Sequence, residues 1–92
     1  MSIPNLPVGG YHQISATGNV ASYPTNLLGI FVSNAASTPT ITLYDSAATG
    51  TGTAIATVFT PVSATWYPIP VSTGSGLYVV ISGTVSCTVV TA

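Results

Sequence analysis

The feature that most constrains this chain is the near-absence of charge. Its 92 residues contain no lysine and no arginine, and Asp45 is the single acidic side chain. Such a chain cannot lean on ion pairs. It must fold by burying apolar surface and satisfying its backbone, and it must stay wet through neutral groups. Fifteen threonines and eleven serines are available for that purpose. Little self-repulsion separates copies of a protein with a net charge of −1, which favours association. The sequence therefore predicts a homo-oligomer or a place in a larger assembly.

The same lack excludes function classes. Without basic side chains nothing neutralises phosphates, so no nucleic acid is expected as a partner. The Arg forks and Lys point charges that recognise phosphate and carboxylate are missing too. The stock of other reactive groups is His12, Asp45 and Cys87. That is too little for a full acid–base set or a metal-ligand cluster, so the chain reads as a non-enzyme with no cofactor and no metal. One cysteine forms no intrachain disulfide.

Apolar residues make up 47% of the chain, which argues against disorder. They are dispersed, however. The run Leu77-Tyr78-Val79-Val80-Ile81 is among the longest, far short of the ~20 residues of a membrane-spanning helix. No membrane association is expected. The start, Met1 to Pro7, lacks a basic region and a long apolar core, so it does not read as a secretory signal.

Residues 1–10 (MSIPNLPVGG) hold two prolines and end in Gly9-Gly10. They read as an extended N-terminal arm whose knobs Ile3, Leu6 and Val8 could grip a neighbouring subunit. Residues 11–92 read as one domain of short strands divided by turn clusters. The expected strands are 11–17, 20–23, 27–33, 40–45, 53–60, 65–71, 77–82 and 85–91, with turns at 34–39, 46–52, 61–64, 72–76 and 83–84. Alternation places Ile41 and Leu43 on one face of TITLYD. It turns Tyr67, Ile69 and Val71 inward and Pro68 and Pro70 outward in TWYPIPV. Two prolines make that an edge strand. Gly29 marks a bulge or a close approach. Seven to eight short strands with turns every ten or so residues predict an all-β fold, a small antiparallel β-sandwich of jelly-roll-like form.

Few side chains invite chemistry. His12 is the one histidine; three copies on a trimer axis could ligate a metal, but a solvated or hydrogen-bonded histidine is the plainer reading. Asp45 precedes a Gly-rich loop, where a carboxylate caps backbone N–H groups. Cys87 shares the register of Val85 and Val89 and reads as a small core residue. Gly50-Thr51-Gly52 and Gly74-Ser75-Gly76 are turns rather than phosphate loops, since no lysine accompanies them. Trp66 falls on the face opposite Tyr67, on the edge strand, and marks a candidate interface. With so few titrating groups, stability is expected to be nearly flat between about pH 5 and 9.

The ordered string Leu28-Gly29-Ile30-Phe31-Val32, Ile41-Thr42-Leu43-Tyr44-Asp45, Tyr67-Pro68-Ile69-Pro70-Val71, Thr73-Gly74-Ser75-Gly76-Leu77-Tyr78-Val79 and Val85–Val90 resembles the small β-sandwich virion proteins of tailed bacteriophages, some of which are capsid decoration, or cement, proteins. The resemblance covers about residues 11–92. It implies a structural virion protein on the outer capsid surface, bound to the major capsid protein at capsomer junctions, often as a homotrimer. It brings no catalytic residues. The alternatives are another virion component (tail, fibre or head-completion subunit) or a glycan-binding surface module that uses Trp66 and the tyrosines.

Overall fold

The computed structural model describes residues 10–50 and 52–92. The arm residues Ile3, Leu6 and Val8 lie outside this range. Six strands form one antiparallel sheet: β1 (Gly10–Ile14), β2 (Gly18–Ala21), β3 (Asn26–Asp45), β4 (Thr53–Phe59), β5 (Thr65–Ser72) and β6 (Leu77–Thr91). The all-β antiparallel fold is the one expected from the sequence.

The expected segments are present, but four of them are joined in pairs. Residues 27–33 and 40–45 both belong to the 20-residue β3, and 77–82 and 85–91 to the 15-residue β6. The turn signals between them mark a bend in a continuous ladder, not a chain reversal. Between the pairs Ala36↔Thr84 and Thr40↔Ser82, β3 spends Ser37-Thr38-Pro39 where β6 spends only Gly83. Ser37 and Thr38 take left-handed φ values of 62° and 49°, and Gly83 one of 88°. A β-carbon on Gly83 would stand 2.8 Å from Pro39 Cα. Excess residues on one strand bend a ladder and raise its twist.

The bend divides the sheet into two halves. The first runs β1–β6–β3–β5, through the C-terminal part of β6 and the N-terminal part of β3. The second runs β2–β6–β3–β4, through the opposite parts. One cluster takes its side chains from both: Leu27, Ile30, Val32, Cys87 and Val89 from the first, Ile41, Leu43, Leu77 and Val79 from the second. The halves thus fold over a shared core, as sandwich sheets do. Across the gap between β4 and β5, the rings of Phe59 and Tyr67 meet at 5.2 Å between centroids.

β5 pairs only with β3, as its prolines require. Val71 departs from the expected inward position. It is paired with buried Leu27 on the edge strand and remains 37% exposed. β1 ends at Ile14 and begins at Gly10, which pairs with Thr91; Gly10 is thus strand rather than arm. β2 starts two residues earlier than read, at Gly18, and ends at Ala21.

Hydroxyl groups finish the edges. Thr17 Oγ1 accepts from Ile81 N–H (2.8 Å) and donates to Ile81 C=O (3.1 Å). Ser63 Oγ does the same with Ala35 (2.7 and 3.2 Å), and Thr73 Oγ1 with Thr25 (2.9 and 3.1 Å). Each hydroxyl, donor and acceptor at once, stands in for a one-residue strand partner.

Cys87 is buried, and burial pushes its thiol up to about 11. The neutral thiol is a poor nucleophile. At pH 8, labelling by a thiol reagent is expected to be about a hundredfold slower in the native protein than in urea, because reaction must await opening. Equal rates would show that Cys87 is not in the core.

Candidate functional site

Among the described residues, two open surfaces combine exposed apolar side chains with a groove once the core is built. The first is the outer face of the β1–β6–β3–β5 half. Cross-strand pairing sets Gln13, Thr88, Phe31 and Trp66 in one row, and Tyr11, Val90, Gly29 and Pro68 in the next. Tyr11 is 70% exposed, Trp66 45% and Phe31 40%. Gly29 decides how the indole lies. A β-carbon there would stand 2.5 Å from the Tyr67 carbonyl oxygen, 2.7 Å from Trp66 Cη2 and 2.8 Å from Cζ2. The ring therefore leans over the bare backbone of Gly29 and covers it. At the Gln13–Thr88 end of the first row an open groove of about 410 Å³ takes in Gln13, Ser33, Ser86 and Thr88 beside Ile14 and Cys87.

The corresponding face of the other half is occupied. The loop after Asp45 folds back onto it, bringing Gly50 to 2.7 Å (as a built β-carbon) from Val80 and 3.4 Å from the Tyr78 ring. Tyr44, Tyr78 and Val80 are consequently half-buried.

The second open surface lies at the bend. Val58, near the end of β4, is 62% exposed, and Val62, in the following turn, 61%. A shallow groove of about 350 Å³ passes between Ala35–Pro39 and Thr60–Ser63. Its wall is fixed by the Ser63–Ala35 pair and by Val62 N–H donating to Tyr67 Oη at 2.9 Å.

Asp45 belongs to neither surface. Its carboxylate accepts from the N–H groups of Gly74 (2.8 Å), Ser75 (2.8 Å) and Gly76 (3.2 Å). The bonds to Gly74 and Ser75 chiefly hold its pKa below the ordinary 3.8. This is the backbone-capping role, joining the end of β3 to the β5–β6 turn. A depressed folded-state value supplies stability above the unfolded value and loses it as pH falls through the folded one. Thermal midpoints are therefore expected to stay level from pH 9 down to about 5, then drop below about pH 4. Asp45→Asn should abolish that acid limb; an unchanged limb would assign it elsewhere.

His12 is exposed on β1 opposite Val89 and lines an open, mainly polar hollow with Tyr23, Asn26 and Thr73. No group of three or more His, Cys, Asp or Glu is placed to hold a metal among the described residues. No helix among them is long and apolar enough to cross a membrane.

Sequence reading located Trp66 and its outward face. It missed Phe31, which it left inside a buried strand; strict alternation from Ile30 and Val32 would have turned it outward. It also missed Val58 and Val62, whose exposure depends on where the bend falls. Compared with known proteins, the chain matches no family model, no curated protein and no solved structure.

Proposed function

We propose that this chain is a structural virion protein, a decoration protein that binds the outer surface of a phage head at capsomer junctions and stabilises it. The observation that carries the reading is the exposed apolar pair Val58 and Val62, of which Val62 lines the groove between Pro39 and Pro61. Apolar side chains exposed to this degree beside a preformed groove suit a protein partner. The all-β sandwich agrees with the resemblance read from the sequence. So does a surface in which hydroxyls do structural work and the one carboxylate is committed to a turn. The major capsid protein is the partner. A homotrimer repeated over the shell gains strength from many weak contacts, and the arm with Ile3, Leu6 and Val8 adds a tether to a neighbour.

The test is co-sedimentation of the purified protein with shells that lack it. Saturable binding at a copy number matching the capsomer junctions is expected. Val58→Ser with Val62→Ser should weaken binding at least tenfold while the thermal midpoint stays within about 3 °C. No saturable binding, or binding confined to tails, would overturn the reading.

A further inference from the structure

We infer that the outer face of the β1–β6–β3–β5 half is a binding platform for a neutral polysaccharide, with the Trp66 and Phe31 rings stacking on pyranose faces and Gln13, Ser86 and Thr88 bonding the surrounding hydroxyls. This goes beyond the decoration role and does not depend on it.

Three observations select this occupant. The first is ring posture. Trp66 lies over Gly29, and only a glycine permits that contact. One side of the indole is thereby braced by the sheet, while 45% of the residue stays open. A braced, partly exposed aromatic ring suits the polarised C–H face of a sugar. Phe31, directly across in the ladder, continues the platform.

The second is the polar neighbourhood. The ring row runs without a break into Thr88 and Gln13, and the groove at that end takes in the Ser86 and Thr88 hydroxyls. Three strand spacings separate Trp66 from Gln13, about 14 Å in all, room for roughly three pyranose units. Protein interface cores are depleted in serine, and an apolar partner would leave these groups without bonds, which costs free energy. A sugar supplies donors and acceptors to each of them. Sites of this sort combine aromatic lining with a few placed polar groups.

The third is charge. The face contains no Asp, Glu, His, Lys or Arg. His12 is on the opposite register, beside Val89, and Asp45 is held by Gly74–Gly76. Nothing on the platform would neutralise an acidic polysaccharide, so the ligand is neutral.

Trp66 is the only tryptophan, so its emission reports this face alone. The full-length protein is titrated with cello-, laminari- and manno-hexaose, and with polygalacturonate as the charged comparison. A saturable emission change with at least one neutral hexaose, at a dissociation constant of about 1 mM or tighter, and none with polygalacturonate, is expected. Phe31→Ala should weaken that binding at least tenfold. Thr88→Val, which removes a hydroxyl at nearly constant shape, serves as a second variant should Phe31→Ala fail to fold. No emission change with any neutral hexaose up to about 10 mM would overturn the inference. So would binding that both variants leave intact. An emission shift that tracks protein concentration, with sedimentation as a dimer, would assign the face to a second copy of the chain and equally overturn it.

Discussion

Gly76→Ala is expected to lower the thermal midpoint by about 10–20 °C, corresponding to the upper range of overpacking costs, about 3 kcal/mol. The added β-carbon would stand 2.5 Å from Ala21 C=O, 2.8 Å from Ala47 Cα and 2.8 Å from Ser46 C=O. All three are backbone atoms, so no side chain can swing aside. The turn would have to withdraw from β2 and from the loop after Asp45 together. Withdrawal would also pull Gly76 N–H away from the Asp45 carboxylate, to which it donates. Gly74→Ala, two residues away, meets only Asp45 Oδ2 at 3.5 Å, an ordinary contact. It should stay within about 0.5 kcal/mol of the parent. Thermal or urea unfolding of the two variants side by side decides the matter. A Gly76→Ala midpoint within about 2 °C of the parent would mean that the three backbone segments are not packed as described.

Leu43→Ala should cost about 3 kcal/mol, within the 2–5 range for buried leucines. Leu43 has no exposed surface and sits where the second half is widest, paired with Val79 on one side and Ala56 on the other. The small Ala56 leaves little bulk to relax into the space. A domain of this size has only about 5–15 kcal/mol in total, so a large part of its stability rests on this one side chain. Urea denaturation should show a lower midpoint at an unchanged slope. Val58→Ala removes two methyls of the same chemistry from a residue 62% exposed, and is expected to fall within about 0.5 kcal/mol. Similar losses at the two positions would refute the assigned core.

The strands were legible because their signals are local. Ile41 and Leu43 alternate with threonines, and Pro68 and Pro70 can only stand on an edge. The glycine at 29 was legible as a place of close approach, and the Tyr67 carbonyl and the indole together account for it. Asp45 was readable as a turn cap, although not its three partners some thirty residues on, since sequence distance hides which turn a carboxylate reaches. The pairing of β3 with β6 was not legible. Turn residues such as Ser37, Thr38 and Gly83 announce departure from extended geometry, but a bulge and a reversal use the same conformations. Which one occurs depends on whether two strands share a ladder across the break, a non-local fact. The exposure of Val58 and Val62 was hidden with that fact, whereas Phe31 lay within reach of strict alternation from Ile30 and Val32.

The hydroxyl clips at Thr17, Ser63 and Thr73 have a consequence for the environments this molecule tolerates. Ion pairs weaken as dissolved salt screens them, and they draw proteins into a dependence on counter-ions. Neutral hydroxyl–backbone pairs carry no such debt. In fresh water and in brine the strand edges of this protein are held by the same bonds, and its tolerance is set by temperature and acid rather than by dissolved salt.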